Sequence, residues 1–328
     1  MARIAGIAVL MMVLASGLLG VAQSVVEGPF HMHALAGIGA DAFAVAQGRS
    51  VEIRSWAAPD RATRSFTGAR AVVVSLAVSP DGDLIAAGDM DGNLTVWEIA
   101  SGSLVFRKYA HTFRIWTLAF SPDGTLLATA GYEGTVRLWE RSTWLEVGIF
   151  SDPGLTCSQR EGCAHSGIVR CVAFSPDSKT LATVGCDGYI GIYDVDTLRL
   201  QLPRIQTWTN VYSVAFSPDG MRFAVAKYGG EIRVYRTTTW EEEMRFQTTS
   251  SLYVLAFSPD GARLFSGGFP KRLQVWDLGT RALVSEHGGH TRSIWGIAVL
   301  PDGERIVTTC GEFGDGEAGE LRLWRIPR

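Results

Sequence analysis

Residues 115–139 read IWTLAFSPDGTLLATAGYEGTVRLW, and this stretch decides the fold. A short apolar run stops at Ser121-Pro122-Asp123-Gly124, and a second run, LLATAG, follows at once. The intervening phrase has the chemistry of a type I turn. Ser stands at the first position, Pro pre-sets φ at the second, Asp takes the third and Gly the fourth. Proline supplies no N–H to a ladder, so it belongs between strands and not within one. The stretch is therefore a hairpin, followed by a third strand, VRLW, that ends on Trp139.

The same unit recurs along the chain. Ser-Pro-Asp turns stand at Ser79–Asp81, Ser121–Asp123, Ser175–Asp177, Ser217–Asp219 and Ser258–Asp260, with an imperfect copy at Leu300-Pro301-Asp302-Gly303. Third strands end at Trp97, Trp139, Tyr193, Tyr235, Trp276 and Trp324. A degenerate first copy has HALAGI and AFAVAQ as its hairpin and closes with VEIR at Arg54. Stretches such as SLVFRKY, WLEVGIF and WEEEMRF supply a fourth strand. Four strands every 40–45 residues make one blade of a ring. The reading is all-β: a seven-bladed β-propeller of four-stranded antiparallel blades. Its strands are continuous apolar runs instead of strict alternations, as suits strands covered on both faces by neighbouring blades. Only four residues follow Trp324, so residues 24–30, which include VVEGPF, are expected to pair as the outermost strand of the last blade.

Ahead of the repeats, Met1–Ser24 reads MARIAGIAVLMMVLASGLLGVAQS. Arg3 precedes an uncharged run from Ile4 to Ala22, and Gly20, Ala22 and Ser24 crowd small residues at its end. That is the layout of a secretory signal peptide over residues 1–23, with 24–328 as the propeller. The rival reading retains residues 4–22 as a membrane anchor, since such a run is long enough to span a bilayer core. Either way the ring is expected outside the cytoplasm: secreted, periplasmic or lumenal, or else held at a membrane. The whole chain is 47% apolar and 19% charged with a net charge of −3. This is a foldable composition without the concentrated basic surface that nucleic acid needs. A monomeric propeller with no nucleic-acid partner is expected.

As a set, the Ser-Pro-Asp-Gly turns, the Trp or Tyr closing each third strand, the Gly289-His290 pair and the Trp276-Asp277 pair resemble the WD-repeat family over residues 25–328. The resemblance implies a polar network in each blade: a His before the first strand, a Ser or Thr on the second, an Asp in the next turn and the terminal Trp. Blade 4 matches it with His165, Thr183, Asp187 and Tyr193. Blade 3 offers His111, Thr129 and Trp139, with Glu133 where Asp is expected. Blade 2 keeps Asp91 and Trp97 but has no His, and blades 5 and 6 put Gly229 and Pro270 at the Asp position. His290 and Trp324 belong to the last blade. The resemblance also implies that one face of the ring holds partner peptides.

Candidate chemistry gathers in three places. Aligning the first strands places Val74, Trp116, Arg170, Tyr212, Tyr253 and Trp295 at one register, near one mouth of the central channel. Aromatic residues and Arg dominate binding hot spots, although packing between blades also consumes aromatics. Cys157 and Cys163 lie in a 12-residue insertion before blade 4 and read as a disulfide in an oxidising compartment. Zinc there would need ligands beyond the adjacent His165. Cys171, Cys186 and Cys310 read as core residues. The acidic loop Gly311–Glu320 reads as solvated and lacks the spacing of a calcium loop. No catalytic motif is present, and neither cofactor nor metal is expected. The expected function is a non-catalytic scaffold that binds a protein or peptide at the mouth carrying Trp116, Arg170, Tyr212, Tyr253 and Trp295. The alternative is an exported hydrolase or lyase acting on a carbohydrate or small molecule in the channel.

Overall fold

The computed structural model describes residues 22–28, 30–152, 154–155, 163–311 and 319–327. The leader through residue 21, Cys157 with most of its insertion, and residues 312–318 of the acidic loop lie outside the described residues. Within the described residues the chain forms seven four-stranded antiparallel sheets and no helix. Blade 3 is representative, with strands Ile115–Phe120, Leu126–Gly131, Val136–Glu140 and Glu146–Phe150 running from the channel outward. Innermost strands neighbour one another around a full circle, and that of blade 7 meets that of blade 1.

The ring closes through Ala22–Gly28, which pairs antiparallel with the third strand of blade 7, Gly319–Arg325. Val25 faces Arg322 and Val26 faces Leu321 in that ladder. The closing strand starts and stops two residues earlier than the expected 24–30. Phe30 already belongs to the innermost strand of blade 1, where it pairs with Gln47.

The core is divided among the interfaces between blades. One cluster joins Leu138 and Phe150 of blade 3 to Val169, Val172 and Tyr193 of blade 4. Another joins Phe43 and Val45 of blade 1 to Val307, Leu321 and Leu323 of blade 7. Second strands are therefore covered on both sides: every residue of Leu84–Asp89 is buried. This is why the sequence shows unbroken apolar runs.

Each Ser-Pro-Asp turn is locked by its own side chains. At the first, Ser79 Oγ donates to Asp81 Oδ1 at 2.5 Å, while the Leu84 and Asp83 amides donate to Ser79 Oγ and Asp81 Oδ1. The Ser79 hydroxyl and, with it, the nearby Arg141 bring the Asp81 carboxyl down to about 2, against the opposing effect of burial. At the opposite end of the ring, the link between blades wraps over a glycine. Ala110 and His111 both donate their amides to Gly92 O, and a Cβ on Gly92, at φ 83°, would stand 2.0 Å from His111 O.

The expected polar network forms with substitutions. In blade 3, Trp139 Nε1 donates to Thr129 Oγ1 at 2.9 Å and His111 Nε2 stands 2.9 Å from the same oxygen. If the threonine passes its own hydrogen to Nε2, the proton on Nδ1 is left for Glu133, 2.5 Å away. Burial would raise the Glu133 carboxyl, but His111 and Thr135 bring it down. Glutamate thus does the work of aspartate here. In blade 4, His165 bridges Thr183 at 2.9 Å and Asp187 at 2.8 Å, but Tyr193 does not join. Its ring carries the hydroxyl past the threonine, and the O–H donates to Ala164 O at 3.2 Å.

Three further positions depart from the expected network. In blade 2 the exposed Asp91 is not the acid that matters. Asp89 is buried and accepts from the amides of Ala71, Asp91 and Asn93, while Trp97 Nε1 donates to Thr67 O. In blade 6, Trp276 donates to Ser266 Oγ, which donates in turn to Gln274, and Asp277 is an outward residue that accepts from Thr280. In blade 7, Trp324 Nε1 donates to Thr308 Oγ1 at 2.8 Å, and His290 Nε2 stands 2.6 Å from that oxygen. The acid is Glu320, which is not a loop residue but part of the third strand, buried between His290, Thr291 and Arg322. Burial would raise its carboxyl, yet those three partners bring it down to about 2.

Candidate interaction face

Six innermost strands share one irregularity. Their pairing slips between Val73 and Ser75, Ile115 and Thr117, Val169 and Cys171, Val211 and Ser213, Leu252 and Val254, and Ile294 and Gly296. The residue skipped each time is Val74, Trp116, Arg170, Tyr212, Tyr253 or Trp295. A bulge of this kind leaves one residue out of the ladder and re-aims its side chain. It occurs at the channel mouth in every case, so the re-aimed side chains converge.

Five of them form a continuous arc through blades 3 to 7. The Arg170 guanidinium stands over the Trp116 ring at 4.3 Å and over Tyr212 at 5.3 Å. Tyr212 meets Tyr253 edge to face with centroids 4.9 Å apart, and Tyr253 stacks on Trp295 at 4.0 Å and 14°. Trp116 and Trp295, at the two ends, are 4% and 7% exposed, while Arg170, Tyr212 and Tyr253 are partly open. The rings thus pack on one another around the mouth as well as facing it. Burial, with the phenols of Tyr212 and Tyr228 nearby, raises the Tyr253 hydroxyl above its ordinary value.

Beneath the arc lies a cavity of about 150 Å³ whose walls include Ser75, Thr117, Cys171, Ser213 and Gly296. Side chains from these strands rung the channel: Ser75 Oγ donates to Ile115 O, and Ser213 Oγ accepts from the Leu255 amide. Burial raises the Cys171 thiol, which keeps it protonated. The cavity walls carry no Asp, Glu or His among the described residues.

Around the mouth stands a second, outer set of aromatics that sequence reasoning missed. Phe113, Tyr132, Trp208, Tyr228 and Phe269 are all exposed, Trp208 at 80%. Tyr132, Tyr228 and Phe269 occupy one repeating position, the first residue after the second strand. Their amides donate to Arg114 O, Asn210 O and Ser251 O, which tethers each to the entry of an innermost strand. Aligning those turns as the first strands were aligned would have found them. Arg114 lies over both Trp116 and Tyr132, and Phe113 packs edge to face on Tyr132 at 5.9 Å. Trp208 also holds φ at 68°, a left-handed conformation that bulky residues rarely adopt. On the opposite face, where the Ser-Pro-Asp turns lie, the exposed large apolar residues described in the turns are Met221 and Leu145, neither of them aromatic. The exposed aromatic surface of the described residues is concentrated on one end of the ring, and a clustered apolar patch of this kind is the usual mark of an interaction site.

A titratable trio lies apart from the mouth. His290, Cys310 and Glu320 bring their ligand-type atoms within 4.8 Å of one another, all buried. Arg322 Nε donates to Glu320 Oε2 at 3.0 Å, so a cation already occupies that carboxylate, and burial raises the Cys310 thiol. The trio has the character of an internal ion-pair network.

Seven blades, hairpins built on Ser-Pro-Asp turns and His–Thr–Trp relays define a WD-repeat type of propeller. Residues 72–325 match the family described as IFT122 first beta-propeller, and the chain belongs to this WD-repeat β-propeller family. Telomerase protein component 1 of Rattus norvegicus is 30% identical over 112 residues, and WD repeat-containing protein 90 of Xenopus tropicalis is 26% identical over 148. WD repeat-containing protein SL1-17 of Schistosoma mansoni is 28% identical over 172 residues. These alignments cover 34%, 44% and 52% of this chain and 4%, 8% and 52% of the three relatives. The chain therefore spans about half or less of the length of the relatives it matches. Kinship with WD-repeat propellers suggests a protein-interaction scaffold.

Proposed function

We propose that this protein is an exported, non-catalytic scaffold that holds a protein or peptide segment across the aromatic mouth of its ring. The observation that carries the reading is the asymmetry of exposed aromatics. Phe113, Tyr132, Trp208, Tyr228 and Phe269 surround the Trp116–Trp295 arc, whereas Met221 and Leu145, the exposed large apolar side chains described in the turns of the Ser-Pro-Asp face, are not aromatic. Aromatic anchors around a central Arg are the composition of a binding hot spot. Export rests on the leader, residues 1–23, and the mass of the mature N-terminus would separate cleavage from a retained anchor. An oxidising destination agrees with a Cys157–Cys163 bridge, since Cys163 is buried at the foot of its insertion.

The reading is tested by affinity capture from a native extract with three forms of the chain: wild type, Trp208→Ala/Phe269→Ala, and Met221→Ala. Partners should be lost from the double variant and kept by Met221→Ala. Equal recovery by all three would move the interaction surface off this face.

A further inference from the structure

The mouth holds a cation that has no counter-charge among the described residues. Arg170 sits on the bulge of blade 4, with its guanidinium carbon over Trp116 and Tyr212. Its Nε donates to Cys186 Sγ at 3.0 Å, and its Nη1 is shielded from solvent without any hydrogen-bond partner. No carboxylate of the described residues lies within ion-pair distance of it. Other arginines in similar half-buried settings do have one: Arg204 pairs with Asp152 at 2.6 Å, Arg233 with Glu231 at 3.0 Å and Arg137 with Glu146 at 3.0 Å. Drawing a charge out of water without a partner is unfavourable, and contact with two aromatic faces offsets only part of that. A buried, unpaired donor beside a cavity calls for an acceptor supplied from outside.

We infer that the channel mouth recognises a carboxylate of its peptide partner, which accepts hydrogen bonds from Arg170, while a neighbouring apolar residue of the partner lies on the Tyr253–Trp295 stack. This deepens the scaffold reading and rests on it. The charge favours an anion, and the number of cations favours a carboxylate over a phosphate. A guanidinium fork matches one carboxylate in two parallel bonds, whereas phosphate recognition ordinarily gathers several arginines. Among the described residues the cavity walls bring one charged group, Arg170, and Arg114, over the Trp116 ring at 5.3 Å, does not line the cavity. Walls of Trp, Tyr and Leu exclude water from the pair, which strengthens it relative to a surface contact.

The experiment selects a random dodecapeptide library displayed on phage against the full chain. Selected peptides are then synthesised with the acidic residue as Glu, Gln or phosphoserine, each with a free or an amidated C-terminus. Binding is measured by fluorescence polarisation to wild type, Arg170→Gln, Arg170→Lys and Trp208→Ala/Phe269→Ala, with melting curves to establish folding. An acidic residue should be enriched among the selected peptides. Its change to Gln should weaken binding about tenfold or more, as loss of a charged hydrogen bond does. Arg170→Gln should weaken the Glu peptide to the same extent and leave the Gln peptide nearly unchanged. Arg170→Lys should recover part of the loss, because it restores charge without the fork. If amidating the C-terminus, and not the Glu-to-Gln change, removes binding, the carboxylate is a chain end. Tighter binding of phosphoserine than of Glu would overturn the inference. So would selected peptides that lose affinity in the Trp208/Phe269 variant but respond neither to Glu-to-Gln nor to Arg170→Gln, and in that case the scaffold reading survives. A selection that yields nothing, or peptides indifferent to every mouth variant, counts against both.

Discussion

His290 Nδ1 and Glu320 Oε2 stand 3.4 Å apart, which ties the connection before the innermost strand of blade 7 to its third strand. That third strand is also the one the closing strand Ala22–Gly28 pairs with, so the pair sits at the seam of the ring.

This pair makes stability depend on acid. The Glu320 carboxyl lies at about 2 in the folded protein against an ordinary 4.5, so its contribution is full above about pH 4.5 and is lost as pH falls toward 2. Burial, with Arg322 nearby, lowers the His290 imidazole, which outweighs the pull of Glu320 and also favours the folded form above its ordinary 6.5. Both groups therefore destabilise on acidification. The melting temperature should fall steadily below about pH 6 and most steeply between about pH 4.5 and 2. Glu320→Gln should cost about 1–3 kcal/mol at neutral pH and flatten that slope. The Asp81 turn carboxyl, also near 2, keeps some slope in the variant. An identical acid profile in the variant would place the sensitivity elsewhere.

Thr129 and Tyr193 separate the two forms of the blade relay. Thr129→Ala strips partners from both His111 Nε2 and Trp139 Nε1, two buried groups, and should cost about 2 kcal/mol or more. Tyr193→Phe removes a single hydrogen bond to Ala164 O and should cost about 1 kcal/mol. Urea denaturation with matched m-values would compare them, and a larger loss from Tyr193→Phe would contradict the relay.

Trp208 distinguishes a functional side chain from a structural one. It is 80% exposed and its backbone sits at φ 68°. Trp208→Gly removes the strain without leaving a cavity, so stability should stay within about 0.5 kcal/mol of wild type or rise by about 1 kcal/mol. Partner capture should weaken all the same. A drop of several degrees in melting temperature would show that the ring is held by this residue.

Removing residues 22–28 should open the ring. The last blade would keep three strands and bare the ladder edge of Gly319–Arg325, including Leu321 and Leu323, which pack against Phe43 and Val45. A fall of roughly 10 °C in melting temperature and a tendency to self-associate through the exposed edge are expected. Calorimetry and size-exclusion chromatography read both, and an unchanged transition would refute closure by this strand.

Much of the architecture is legible locally. Pro122 and Gly124 dictate a turn by their own backbone preferences, and the recurrence of that turn dictates blades. The mouth register was legible too, because Trp116, Arg170, Tyr212, Tyr253 and Trp295 follow the same first apolar residue in each copy. The bulge that turns them out of the ladder is not visible in the letters, since it depends on how each strand pairs with its neighbour.

The acids of the relays show the same divide. Glu133 could be aligned from its turn, but Glu320 read as part of a solvated loop and Asp91 as the acid of blade 2. Which carboxylate is buried depends on where the preceding connection crosses the blade, and that crossing selected Glu320 and Asp89. The sequence alone determined the repeating hairpins, because their turn chemistry acts within a few residues. Only the tertiary structure decided which side chains meet across blades and which are left facing water, because those partners lie about forty residues apart and are brought together by the stacking of neighbouring blades.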